Sequence, residues 1–254
     1  MPIFRFFKIL LSGTSHAPLP SSKANIYRFS SIAPSERRIV DIYKNTKMSV
    51  VTINSWLPEI KEIKSKMVSG IGTGVVWDFD GHIVTNHHVI LPTKFRHATS
   101  ILLKHVHLEV HLLNSEGVEK PYIAKIVGMD FGIDLTVLKI SIPKSDLKPI
   151  MVEDSTNIEI GQECFLIGAT QSYRHSLVTG RISGLNRDCH INGRPPSNGL
   201  IQIDASTNPG ISGAPVLDYN GHMISIHRAG IRNGIGLCIP SAIVVKTVSN
   251  LINH

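Results

Sequence analysis

The sequence predicts an all-β fold on three observations. Short apolar runs recur at close spacing, Gly, Asn or Asp punctuates the gaps between them, and no long helix interrupts the series. Strands this closely spaced form barrels or a sandwich. Only the final stretch differs. Pro240-Ser241 is a helix start signal, and Val244, Val248 and Leu251 then repeat at helical spacing.

The first expected strands are Ser49–Ile53, Gly74–Trp77, His82–Thr85, Val106–Leu113, Tyr122–Val127 and Leu135–Ile140. Glu163–Ile167, Leu177–Ser183, Leu200–Asp204, Pro215–Leu217, Met223–His227 and Gly236–Ile239 follow. Asp80-Gly81 sits between two apolar runs, which is a strong short-range hairpin signal.

Charge divides the chain unevenly. The formal net charge is +7, but residues 1–47 hold eight Lys or Arg against two acids, and the rest holds 18 against 17. The basic balance therefore belongs to the leader and gives the folded part no nucleic-acid-binding signature. No acid precedes Glu36, and Arg5, Lys8, Lys23 and Arg28 stand among Phe4, Phe7, Leu10 and Leu11 before a Ser-rich stretch. That is the composition of a transit peptide. Its apolar run, Ile9-Leu10-Leu11, is too short for a secretory core or a membrane span. Arg28-Phe29-Ser30-Ser31 has the look of a mitochondrial presequence cleavage site, so the expected address is the mitochondrion, its matrix above all. A chloroplast address is the alternative, and a merely disordered basic tail a third reading. Residues 1–45 are thus expected to be transit peptide and linker. Residues 46–254 remain for one domain, about the size of a large single all-β unit.

Cys164, Cys189 and Cys238 are odd in number and include no Cys-x-x-Cys pair, which argues against a disulfide framework or a structural zinc site. A rival cluster is His105-Val106-His107-Leu108-Glu109-Val110-His111, with three imidazoles and a carboxylate on one strand face. Same-face residues lie roughly 6.6–6.8 Å apart along a strand, too far for all four to reach one tetrahedral ion. The polar side of an exposed strand accounts for the pattern, and no metal or other cofactor is expected.

The chemistry-bearing segment is Asn208-Pro209-Gly210-Ile211-Ser212-Gly213-Ala214-Pro215. An alcohol attacks a carbonyl well only when a base takes its proton and nearby donors hold the oxyanion. Glycines flanking a serine let backbone N–H groups converge on one point. Upstream, Thr85-Asn86-His87-His88-Val89 ends a strand, and Asp134 opens the strand Leu135–Ile140. Standing alone, the histidines would read as polar strand-end residues. Asp130 suits a solvated turn better than Asp134 does.

The order His88, Asp134, Ser212, with gaps of 46 and 78 residues, is the chymotrypsin order. With these residues, the chain resembles the trypsin-like serine proteases of the Do-like (HtrA/Deg) family, in the form of a plant-type organellar member. The resemblance runs through Gly72-Thr73-Gly74-Val75-Val76, His82–Val89, Asp134–Ile140, Leu177–Leu185, Ile201–Ala205, the serine motif and Gly234–Ser241. It implies a chymotrypsin-like pair of six-stranded antiparallel barrels with a C-terminal helix and the cleft between them. Ser212 is then the nucleophile, His88 the general base and later acid, and Asp134 the residue that orients the imidazole. The N–H groups of Gly210 and Ser212 form the oxyanion hole, and Ile226, His227 and Arg228 flank the substrate pocket. It further implies ATP-independent cleavage of unfolded or damaged polypeptides, no cofactor, no nucleic acid, no membrane insertion and a possible homotrimer. The chain ends about 40 residues after Ser212, so no PDZ domain is expected.

Four departures from the family pattern stand out. Ile211 and Ala214 replace the usual Asn and Gly, Ala169-Thr170-Gln171-Ser172 replaces a Gly-Asn-Pro-Phe-Gly run, and His227-Arg228 stand where small or amide residues are common. They open a second reading, an impaired homologue that binds a peptide or partner through the same cleft.

Overall fold

The computed structural model describes residues 32–58, 68–91, 103–171, 173–190, 197–231 and 234–253. Of the transit peptide and linker expected over residues 1–45, residues 1–31 lie outside them.

Hairpin signals and alternating apolar residues build two antiparallel β units. The first contains β1 (Val50–Leu57), β2 (Val68–Val76), β3 (His82–Asn86), β4 (His107–Leu113), β5 (Glu119–Ile123), β6 (Lys125–Asp130) and β7 (Leu135–Lys139), in the order β5-β4-β1-β2-β3-β7-β6. The second is a closed barrel of β8 (Glu163–Thr170), β9 (Tyr173–Cys189), β10 (Ser197–Ala205), β11 (Pro215–Leu217), β12 (Met223–Ile231) and β13 (Ile235–Pro240). The chymotrypsin-like architecture with its C-terminal helix therefore holds. The first unit, however, is a seven-stranded sheet rather than six-stranded. The extra strand arises because Tyr122–Val127, which alternates like one strand, changes partner at Ala124: β5 pairs with β4, and β6 with β7.

Three apolar layers hold these units. Ile53, Val76, Ile83, Leu108, Val110 and Leu138 fill the first sheet, and Leu166, Ile182, Ile203, Val216 and Cys238 fill the barrel. Between them lies a third layer in which Val50, Val84 and Val137 meet Phe165, Ile167, Ile226 and Ile239. Alternation along β8 serves both sides, with Cys164 and Leu166 facing the barrel interior and Phe165 and Ile167 facing the layer. The C-terminal helix α3 (Ser241–Asn253) adds Val244 and Val248 to this layer. All three cysteines are buried and reduced; burial pushes the Cys164 thiol up to about 12.

A helix also occupies part of the expected linker. α1 (Pro34–Thr46) sends Ile42, 3% exposed, into the shared layer, with Ile39 and Tyr43 packed beside it. Arg38 donates through Nε to Tyr219 O at 2.9 Å and stacks over the Tyr219 ring at 5.4 Å. The compact unit accordingly begins at Pro34, twelve residues before the expected boundary at 46.

Candidate active site

The β-sheet register brings the histidine and the aspartate together. β3 and β7 pair antiparallel with Asn86 opposite Leu135, so the residues just after β3 and just before β7 become neighbours. The short helix α2 (His87–Ile90) starts there. His87 N and Asn86 Nδ2 each donate to Asp134 O at 3.1 Å. Asp134 takes φ 68°, a left-handed conformation that aspartate tolerates better than most residues. Its carboxylate accepts from His88 Nδ1 at 2.9 Å on Oδ2 and 3.1 Å on Oδ1, and from His88 N at 3.1 Å on Oδ1. With Nδ1 protonated toward Asp134, Nε2 of a neutral His88 carries the lone pair a general base needs. His87 is turned elsewhere, its ring edge-on to Phe131 at 5.4 Å. Burial holds His87 below the usual histidine range, against the opposing pull of Asp134.

Ser212 lies in the loop between β10 and β11, where Thr73 of β2 ties it to the first unit. Thr73 N donates to Ser212 O at 2.8 Å, and Thr73 Oγ1 donates to Gly210 O at 2.8 Å. Thr85 Oγ1, one residue before the end of β3, donates to Thr73 O at 2.6 Å. The serine loop is thus pinned to the strands that present His88. Ser212 is half-buried, and His88 Nε2 is buried without a hydrogen-bond partner, Ser212 Oγ included, among the described residues. Catalytic hydrogen bonds commonly lengthen when no substrate is bound.

The turn itself has the shape its glycines permit. Gly213 has φ +87°, and a Cβ there would stand 1.9 Å from Thr73 O. Ile211, Gly213 and Ala214 donate their N–H groups to Asn208 O, His227 O and Ile211 O. The N–H groups of Gly210 and Ser212 have no acceptor among the described residues, as an anion-binding pair requires. Ile211, which stands in place of the family's usual Asn, enters the barrel core at 1% exposure, so apolar packing anchors the turn. The Ala214 methyl is fully buried and faces Gly168 rather than the cleft. A side chain at Gly168 would collide with Thr73 Oγ1, Ile211 and Ala214 within 3.1 Å.

The three residues expected to flank the substrate pocket are all buried. Ile226 (0% exposed) belongs to the layer between the units, and His227 (1%) bonds through its backbone to Gly213 and Ala214. Arg228 (0%) donates through Nε to Asp134 Oδ2 at 3.2 Å. The Asp134 charge holds the Arg228 side chain inside, and His227 supports the serine turn through its backbone. Thr73 and the Arg228–Asp134 pair were not foreseen as site features. The only sequence signals were a hydroxyl between Gly72 and Gly74 and a cation in an apolar strand.

The histidine strand forms pairs instead of a centre. His111 Nε2 donates to Glu109 Oε1, Arg174 Nη1 donates to His111 Nδ1 at 2.8 Å, and His107 stacks on Trp56. Among the described residues no group of three His, Cys, Asp or Glu is placed to hold a metal ion. No helix among them is long and apolar enough to cross a membrane.

Residues 72–226 match the family model of the trypsin-like peptidase domain. The chain is 38% identical to Protease Do-like 8, chloroplastic, of Arabidopsis thaliana, over 96% of this chain and 56% of that protein. Protease Do-like 5, chloroplastic, from the same plant is 37% identical over 85% of this chain and 69% of its own length. A solved structure titled "Crystal structure of Deg5" superimposes with a TM-score of 0.70 at 34% identity, covering 86% of this chain and 96% of that one. The chain therefore spans only part of these curated relatives, about half of the first. Both are named chloroplastic, which overturns the mitochondrial address read from Arg28-Phe29-Ser30-Ser31. A basic, Ser-rich leader is common to both organelles, and composition does not separate them. Fold, register and these likenesses agree: the chain belongs to the trypsin-like peptidases, among the Do-like (HtrA) proteases.

Proposed function

We propose that this chain is a serine endopeptidase that cleaves unfolded or damaged polypeptides without ATP, in the chloroplast. The observation that carries this reading is the His88 Nδ1–Asp134 Oδ2 bond of 2.9 Å, which aims a bare Nε2 from the strands that also hold the Ser212 loop.

In this proposal Ser212 Oγ attacks the scissile carbonyl carbon while His88 Nε2 takes the hydroxyl proton. The carbonyl π pair moves onto oxygen, and the Gly210 and Ser212 N–H groups stabilise it; one such donor is worth about 3–4 kcal/mol at the transition state. When the intermediate collapses, the C–N bond breaks and the imidazolium protonates the departing amine. Water, deprotonated by His88, then hydrolyses the acyl-enzyme and restores Ser212. Asp134 keeps the imidazole in its Nδ1–H tautomer throughout. Polypeptide is the substrate, and assembly as a homotrimer belongs to the same proposal, open to sedimentation velocity.

The unbonded His88 Nε2 is the observation on the side of an impaired homologue. Degradation of β-casein, an unfolded substrate, without nucleotide separates the two. The expected result is fragmentation that Ser212→Ala abolishes. Intact casein alongside saturable binding to the folded protein would favour the impaired homologue.

A further inference from the structure

Arg228 is the largest fully buried side chain among the described residues, and its charge lies against a second buried charge, the Asp134 carboxylate, 4% exposed. Buried charges persist only when paired, and breaking such a pair is costly. The placement of this pair is specific. Asp134 Oδ1 accepts from His88 N at 3.1 Å, and Oδ2 accepts from Arg228 Nε at 3.2 Å. Each carboxylate oxygen therefore has a donor outside the imidazole ring. A twist of the carboxylate about its Cβ–Cγ bond would break both bonds.

Arg228 also has a neighbour with a related task. His227 O accepts from Gly213 N at 2.9 Å, and His227 N donates to Ala214 O at 2.8 Å, fixing the residues directly after Ser212. Consecutive residues of β12 thus hold the serine loop by backbone and the aspartate by side chain. Asp134 comes from the first unit and Ser212 from the second, so this dipeptide is a common rail for both.

We propose that Arg228 is a positioning residue for the Asp134–His88 pair, aligning base and nucleophile through β12. The proposal rests on the peptidase reading, with Asp134 orienting His88. Two effects of the guanidinium oppose each other. It fixes the carboxylate and favours its ionised form, but it also offsets charge that would stabilise the imidazolium. The distances favour fixing. Arg228 Nε lies 3.2 Å from Asp134 Oδ2, whereas His88 Nδ1 keeps the shorter bond at 2.9 Å.

The test compares wild type, Arg228→Met and Arg228→Lys as full chains. Inactivation by a fluorophosphonate gives a maximal rate and a half-saturating concentration, and thermal melts confirm folding. Methionine keeps much of the volume without charge; lysine keeps the charge without the guanidinium fork. Arg228→Met is expected to lower the maximal rate about tenfold or more with half-saturation unchanged, and lysine to restore part of it. A merely structural role would move the melting temperature and leave that split absent. A folded Arg228→Met that reacts as fast as wild type, or faster, overturns the proposal.

Should Arg228→Met not fold, the side-chain NMR signal of Arg228 Nε–H decides. It is expected to shift on Asp134→Asn, and an unmoved signal overturns the pairing. That signal needs no reaction at Ser212. An unreactive wild type with a shifting Nε–H would therefore sink the peptidase reading alone and leave Arg228 holding Asp134.

Discussion

Thr73 donates its N–H to the Ser212 carbonyl at 2.8 Å, so a strand of the first unit holds the nucleophile loop of the second. Its hydroxyl also donates to Gly210 O at 2.8 Å and accepts from Ala169 N at 2.9 Å. Thr73→Val keeps the shape and the backbone bond but strands both buried partners. Each such loss costs about 1–3 kcal/mol. The expected outcome is a urea unfolding free energy lower by about 2 kcal/mol or more, with slower acylation of Ser212. Wild-type stability and rate together would contradict the role given to the hydroxyl.

Gly213 and Gly117 make a matched pair. Both have positive φ, +87° and +80°, but a Cβ at Gly213 would meet Thr73 O at 1.9 Å while one at Gly117 meets nothing within 4 Å among the described residues. Alanine at Gly117 is expected to cost about 1–2 kcal/mol of backbone strain and leave activity intact. Alanine at Gly213 must also displace β2 or the serine loop, and is expected to abolish activity and lower the melting temperature more. Equal effects at the two sites would show that the contact with Thr73 is unimportant.

Helix α1 is part of the folded unit. Ile42→Ala is expected to destabilise the protein by about 2–5 kcal/mol, the range for truncating a buried isoleucine. A chain begun at residue 46 should melt well below one begun at residue 34. Superimposable melting curves would return the boundary to 46.

Acid should weaken the fold. Burial holds His175 and His87 below the ordinary histidine value of 6.5, with Glu119 pulling His175 the other way and Asp134 doing so for His87. Between those lowered values and 6.5 the unfolded chain binds more protons than the folded one, so stability falls as pH drops below 6.5. Urea midpoints at about pH 7.5 and 5.5 span this window. His175→Asn removes one titrating group and suits the left-handed φ of 49° at that position. It should flatten the dependence. A midpoint that rises on acidification would contradict the sign.

Much of this was legible in the sequence because it is local. Asp80-Gly81 marks the β2–β3 hairpin, alternation gives β4 and β7, and Val244, Val248 and Leu251 mark α3. The segments carrying His88, Asp134 and Ser212 were found for the same reason. What escaped was settled by partners distant in sequence. No turn residue marks the change of partner at Ala124, because only β4 and β7 distinguish β5 from β6. Ile39, Ile42 and Tyr43 lie at helical spacing, yet the basic leader before them masked α1. The direction of the Arg228 side chain depends on a carboxylate 94 residues away. The address failed because basic, Ser-rich leaders serve both organelles.

The central claim is that Ser212 is an activated nucleophile, and covalent labelling tests it most directly. The folded protein is treated with a fluorophosphonate, digested, and the adduct located by mass spectrometry. The account expects one adduct, on Ser212, lost in Ser212→Ala and slowed at least a hundredfold in His88→Ala, since removing the base histidine of such a triad costs on the order of 10⁶ in kcat. A folded wild-type protein without an adduct on Ser212, or with one that His88→Ala leaves unchanged, would contradict it.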